Sequence, residues 1–338
     1  PVGISFYTFH TITYIVDCWR GAVRPTRSFF EFSCYVSFFA QLVAGPIVRF
    51  RQIEGDLETI DAGSRRGYQD QAWSFFALGF AKKVILADGL GALVDPILAA
   101  GAPHGAASAW LALLGYTYQI YFDFSGYSDM AVGLGLLFGL RLPQNFDSPY
   151  RATGPSDFWR RWHLSLSTVL RDYLYIPLGG SQGSTARTYR NLLLTMLLGG
   201  LWHGASWTFV AWGAFHGSLL AIERAWKGVH RESESPGRAL TFLLVALGWV
   251  LFRAPDIGHA GAWYLALFSP AAGALPAGAA ALALLIAVSA AFAHVGPNTF
   301  ELEHRGSPAV TAALAGLFAV SLFLLLAGRP SPFLYFQF

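Results

Sequence analysis

From Leu192 to Ile222 the chain runs for 31 residues without an Asp, Glu, Lys or Arg, yet it carries two histidines there, His203 and His216. Burying an ionisable ring in so apolar a segment is costly, so an intramembrane histidine is a functional-site hypothesis by default. No carboxylate within the run offsets His203, which is therefore expected to work as a neutral imidazole able to take up a proton. The run also constrains shape. As one helix it would be about 46 Å long, more than the roughly 30 Å of bilayer hydrocarbon. A break is expected at Gly199-Gly200, placing His203 just beyond a bend.

Composition agrees with a membrane setting. Hydrophobic residues make up 54% of the 338 and charged residues 13%, about half the charged share of a typical soluble domain. The 28 Phe, 14 Tyr and 11 Trp suit repeated encounters with bilayer interfaces. A net charge of +3 gives no argument for nucleic acid, and the basic residues read as loop charges facing anionic headgroups. Cys18 and Cys34 lie apart in apolar stretches, without the spacing of a disulfide framework or a zinc site.

Apolar windows fall near 2–16, 29–48, 72–99, 107–122, 126–140, 192–222, 239–253, 262–284, 279–295 and 309–327. Two of these overlap and cannot both be spans. Several are short or interrupted by Gly or Pro, so re-entrant pieces are expected where irregular backbone is buried in protein or lines a cavity. Lys82 and Lys83 are expected to snorkel to an interface. Asp123, Tyr127 and Asp129 either line a cavity or form a helix cap and interface turn. His10, His104, His230, His259, His294 and His304 read as loop or interface residues.

The polar stretch Arg141–Arg190 holds seven basic and three acidic residues. Within it, Ser156–Ile176 is predicted as one interfacial helix, capped by Ser156 and stopped by Pro177 and Gly179-Gly180. At about 100° per residue, Phe158, Trp159, Trp162 and Leu166 share one side with Val169, Leu170, Tyr173 and Leu174. Asp157, Arg160, Arg161, Arg171 and Asp172 take the other. His163 lands at the edge of the apolar stripe and points inward. The arginines either snorkel to headgroup phosphates or form an anion site for a phosphate-bearing donor, for which the guanidinium fork is suited.

The motifs Asn145-Phe146-Asp147-Ser148-Pro149-Tyr150, Asp157-Phe158-Trp159-Arg160-Arg161-Trp162-His163-Leu164-Ser165-Leu166-Ser167 and Arg171-Asp172-Tyr173-Leu174-Tyr175-Ile176-Pro177-Leu178-Gly179-Gly180 resemble the signature block of membrane-bound O-acyltransferases, in particular the alginate O-acetyltransferase branch. Leu201-Trp202-His203-Gly204 followed by Trp207 resembles that family's histidine motif. Gly3–Phe9, Val43-Ala44-Gly45-Pro46-Ile47 and the ending Pro332–Phe338 extend the likeness over nearly the whole chain. The start resembles the middle of a family member, so residues 1–338 are expected to form a single membrane domain lacking the first spans.

The resemblance implies an all-α polytopic membrane protein, with re-entrant and interfacial helices around a central tunnel, in the bacterial inner membrane. It implies an O-acyltransferase that moves acetyl from a cytoplasmic thioester donor toward hydroxyls of an exported polysaccharide such as alginate, cellulose or peptidoglycan. The donor substrate would be acetyl-CoA or another acyl thioester; no bound cofactor is expected. The partners implied are the bilayer, a periplasmic SGNH-esterase-like acetyltransferase and the polysaccharide export machinery. The principal catalytic histidine carries over to His203, as general base, and the second polar position to His163. Donor or substrate contacts carry over to Asn145, Asp157, Arg160, Arg161 and Trp162. They also carry over to Arg171, Asp172 and Tyr173. Trp202, Trp207 and the backbone amides near Gly204 are the oxyanion-donor candidates. The D-alanyl-transferring branch has a further histidine that Leu247-Gly248-Trp249-Val250 lacks, which argues against D-alanyl transfer.

Two other readings compete. A transporter or flippase of acyl or saccharide groups would also use broken helices and intramembrane histidines, but internal inverted repeats are not seen. A non-catalytic membrane scaffold would be indifferent to loss of His203. His216 lies 13 residues beyond His203, about 220° around an ideal helix. It reads as a packing residue, and a metal shared by His163, His203 and His216 is not expected.

Overall fold

The computed structural model describes residues 3–59, 67–99, 101, 103, 105–229, 236–271, 273–304, 306–328 and 334. Arg65, Arg66, His104, His230 and all but Leu334 of the terminal motif lie outside the described residues. Every regular element among the described residues is helical.

The first elements are α1 (Ile4–Trp19), α2 (Phe29–Ser37), α3 (Phe39–Leu42) and α4 (Phe50–Thr59). Ser28 caps α2, its hydroxyl accepting the Glu31 N–H at 3.2 Å, which satisfies one of the free donors of the first turn. His10 was expected in a loop or at an interface. It instead lies fully buried within α1, where its Nε2 accepts the Val48 N–H at 3.2 Å. Its partner comes from a segment 38 residues away, beyond the reach of local pattern.

The next elements are α5 (Gln69–Ala81), a π turn (Lys82–Ala87), α6 (Asp88–Ala99) and α7 (Ala106–Leu137). α5 and α7 approach backbone to backbone. A Cβ on Gly79 would lie 2.6 Å from the Gly126 carbonyl, and one on Gly126 would lie 2.7 Å from that of Gly79. Small residues of this kind let membrane helices pack closely. The 107–122 and 126–140 windows are one helix, because the polar groups between them are matched. Asp123 pairs with Lys83 at 2.5 Å and Asp129 with Lys82 at 2.6 Å. Lys82 also reaches Thr299 at 2.7 Å, and Lys83 reaches Asp88 at 2.6 Å. The two lysines therefore turn inward to carboxylates instead of snorkelling outward.

The predicted 156–176 helix is three pieces: α8 (Pro155–Trp159), α9 (Leu164–Leu170) and a π turn (Arg171–Tyr175). His163 interrupts it with a left-handed backbone, φ 45°. The interruption is stitched to the loop before it: Leu164 N–H donates to the Asn145 carbonyl, and Asp147 N–H to that of Arg161, both at 2.9 Å.

α10 (Thr185–His203) and α11 (Trp207–Val229) form a close hairpin. α10 runs through Gly199-Gly200, so the expected break there is absent; the chain turns at 204–206. Those glycines serve packing: a Cβ on Gly200 would collide with the Phe209 carbonyl of α11, as one on Gly213 would with that of Met196. His203 thus ends a helix instead of following a bend.

α12 (Arg238–Arg253), α13 (Ile257–Leu267), α14 (Ala279–His294) and α15 (Pro308–Ala327) complete the chain. The 262–284 window spans a helix end and a loop, so 279–295 is the genuine helix of the overlapping pair. α15 is long and apolar enough to cross a membrane by length and composition, and almost none of it is buried. Phe29, Phe30, Val295, Phe323 and Leu326 are also exposed, as suits faces turned to lipid.

Candidate active site

His163 sits where three sequence motifs meet. The Ser165 backbone N–H, 3.2 Å away, and the Ser165 hydroxyl, 2.9 Å away, both donate to Asn145 Oδ1. A backbone N–H is always a donor, so the amide atom it meets is the oxygen. His163 Nδ1 lies 3.1 Å from that same oxygen and must donate to it. A neutral imidazole protonated at Nδ1 keeps its lone pair on Nε2. That nitrogen is buried without a hydrogen-bond partner, and the residue is 1% exposed. Asn145 Nδ2 donates to Ser128 of α7 at 3.1 Å, and the Ser165 hydroxyl accepts the Ile47 N–H at 2.9 Å. The 43–47, 145–150 and 157–167 motifs therefore hold one imidazole in one tautomer.

Backbone strain coincides with this network. Ser148 and His163 are the non-glycine residues with positive φ among those described, each at 45°. Such residues persist where their surroundings over-determine them, and they cluster at functional sites.

His203 closes α10 and is partly exposed as a residue. Around it stand Trp202 at 4.9 Å, Phe252 at 5.0 Å, Trp212 at 5.3 Å and Phe209 at 6.1 Å between ring centroids. It lines a cavity of about 10 Å³ with Ile120, Phe124, Trp162, Trp212, Trp249 and Phe252. Phe124 bridges the two histidines: it lines this cavity and also meets His163 edge-on at 4.7 Å. Trp202 touches both imidazoles too, lying 6.5 Å from His163.

His216 is 1% exposed and packs against Trp212 at 4.9 Å and Trp159 at 5.3 Å. The turn at 204–206 overrides the ideal-helix angle between it and His203, and both rings flank Trp212. Among the described residues, no three His, Cys, Asp or Glu side chains converge as a metal site.

The remaining candidates divide. Asn145, Trp162 and Trp202 belong to the histidine region. Trp207 does not: it is 78% exposed at the start of α11, carried outward by the turn that separates it from His203. Asp157, Arg160 and Arg161 form an ion cluster apart from the cavity lining. Asp157 lies 3.0 Å from Arg161 and 3.9 Å from Arg160, whose side chain is largely exposed. Arg171, Asp172 and Tyr173 gather elsewhere, with residues that sequence reasoning missed. Asp172 pairs with Arg171 at 2.6 Å and Arg49 at 2.7 Å. The guanidinium carbons of Arg20 and Arg49 each lie 5.2 Å from the Tyr173 ring centre, within cation–π range. Tyr173 OH donates to Asp17 at 2.6 Å. Burial alone would raise the Asp172 carboxyl, but hydrogen bonds from Arg171 and Arg49 outweigh it and hold the group below its ordinary value.

Trp212 and Trp249 were also missed. Trp212 had a signal: it lies one helical turn before His216, and residues four apart share a helix face. Its Nε1–H is buried without an acceptor, a condition that costs about 1–3 kcal/mol.

The profile of the membrane-bound O-acyltransferase family matches residues 6–238. This chain belongs to that family. It is 43% identical to the probable alginate O-acetylase AlgI of Pseudomonas putida, over all of this chain and 75% of that protein. It is 50% identical to the protein of the same name in Azotobacter vinelandii, over 80% of this chain and 54% of that one. The peptidoglycan O-acetyltransferase of Helicobacter pylori is 38% identical over 77% of the chain and 55% of its own length. The chain thus spans about half the length of several curated relatives it matches. Membership makes it a membrane protein, consistent with the exposed apolar faces of α2 and α15, and its relatives place it in bacteria.

Proposed function

We propose that this chain is the acyl-transfer domain of a bacterial polysaccharide O-acetyltransferase. The carrying observation is that two separate motifs deliver His163 and His203 to one aromatic-walled region: Trp202 stands beside both rings, and Phe124 meets His163 while lining the same cavity as His203. The names of its relatives, an alginate O-acetylase and a peptidoglycan O-acetyltransferase, support acetyl as the group and an exported polysaccharide as the destination. The proposed setting is the inner membrane, crossed several times, with a tunnel leading to His203 from the cytoplasmic donor side and the periplasmic acceptor side.

In this reading neutral His203 accepts the proton of the acceptor hydroxyl while its oxygen attacks the thioester carbonyl. The new C–O bond forms as the carbonyl π pair moves onto oxygen. Collapse breaks the C–S bond, and the leaving thiolate takes the proton back from His203. His163, its Nε2 lone pair kept available by Asn145 and Ser165, is the second proton acceptor. Arg20 and Arg171, beside Tyr173 and Asp172, are assigned to the phosphates of the donor, acetyl-CoA or another acyl thioester. A periplasmic esterase-like partner and the export machinery would carry the acetyl onward.

His203→Ala in the full-length protein tests this. The expected outcome is loss of polysaccharide acetylation by about 100-fold to 10,000-fold, at unchanged protein level in the membrane. Acetylation at the wild-type rate would remove His203 as the base.

A further inference from the structure

We infer that Trp212 is a catalytic residue whose indole N–H binds the acyl carbonyl oxygen as it becomes an oxyanion. The inference rests on the reading of His203 as the base, and it assigns the donor that the reaction needs and the histidine motif alone does not supply.

Three observations single out Trp212. First, it lines the small cavity that His203 also lines, and the two rings meet edge-to-face with centroids 5.3 Å apart. Second, its Nε1–H is buried with no acceptor, although the residue is only 2% exposed. Two other buried indoles are occupied: Trp249 donates to Tyr150 OH at 3.2 Å and Trp263 to the Ala109 carbonyl at 3.2 Å. Trp159 also has an indole N–H without an acceptor, but it is not in the wall of this cavity. Third, the ring is fixed. Trp159, His216, Trp249 and Phe252 surround it at 4.9–6.1 Å, so the indole is confined before substrate arrives.

These are conditions for electrostatic stabilisation of a developing charge: a preorganised donor, fixed by packed rings, beside the base. As the hydroxyl oxygen bonds to the carbonyl carbon, the π pair moves to the carbonyl oxygen and the indole N–H strengthens its hydrogen bond to it. When the C–S bond breaks, the carbonyl re-forms and that bond weakens. The indole proton is never transferred; proton traffic stays with the histidines. Trp207, which the histidine motif offered from sequence, is exposed and not in the wall of this cavity, and α11 supplies Trp212 in its place.

The test uses the full-length protein in its own membrane, reading the initial rate of radiolabelled acetate incorporation into exported polysaccharide per unit of enzyme. Trp212→Phe is expected to lower that rate by about 100-fold to 1,000-fold. Because Phe is also smaller, a second variant carries benzothienylalanine at 212, which keeps the two-ring shape and lacks only the N–H. The same loss is expected there, with a normal amount of membrane protein. A benzothienylalanine variant within about twofold of wild type, beside a dead His203→Gln, would overturn the role of Trp212 and leave the base assignment standing. A fully active His203→Gln would bring down the base assignment, and the oxyanion role with it.

Discussion

The middle of α7 and the junction of α8 and α9 both place ionisable groups in apolar surroundings, and they solve the problem in opposite ways. On α7 each acid has a cation: Asp123 with Lys83 at 2.5 Å and Asp129 with Lys82 at 2.6 Å. Around His163 the polar partners are amide and hydroxyl groups, and Nε2 is left over. A matched pair holds charge still, whereas a lone pair without a donor is available for chemistry. An ionisable residue in an apolar run is therefore a weak clue until its partners are known.

The comparison can be broken at either end. The largest effect after loss of His203 is expected from Lys83→Met, which strands Asp123 in the interior. Removing one partner of a buried pair costs about 3–5 kcal/mol, so the melting temperature in detergent should drop sharply, and Asp123→Asn in the same chain should restore part of it. If Lys83→Met melts like the wild type, the α7 pairs are not structural. At the histidine end, Asn145→Ala removes the oxygen that holds His163 in its tautomer. The initial acetylation rate is expected to fall by roughly 10-fold to 100-fold, the equivalent of about 1–3 kcal/mol for one unsatisfied buried group. The melting temperature should change less than in Lys83→Met. An Asn145→Ala enzyme with wild-type turnover would separate His163 from the reaction.

The smallest effect belongs to the Asp172 ion cluster, which lies outside both regions. With the Asp172 carboxyl held below its ordinary value by Arg171 and Arg49, the stabilisation is present above the unfolded carboxylate pKa of about 3.9. It disappears as pH falls through the lower folded value. Asp172→Asn should therefore lower the melting temperature modestly at pH 7, and the gap from wild type should close on acidification. A gap that widens in acid would reverse the sign of the argument.

The sequence alone determined the helical membrane class, and through the resemblance it nominated His203 and His163 and the motifs around them. Those conclusions need only composition and the order of short motifs, which are local. Partnership was decided by the tertiary structure. Lys82 and Lys83 looked like interface residues because their carboxylates sit some 40 positions on, in another helix. Ser156–Ile176 looked like one helix because side-chain periodicity persists through His163, whereas its backbone is redirected by bonds to Asn145 and Asp147. Gly199-Gly200 looked like a hinge because glycine weakens a helix, until the facing backbone of α11 showed that the missing side chains make room for close packing. Trp207 was named for its nearness to His203 along the chain and Trp212 was missed, but after the three-residue turn the first is exposed and the second packs on His203. Each revision has one physical cause: hydrogen bonds, ion pairs and close backbone contacts act between groups far apart in sequence, and only the folded chain brings those groups together.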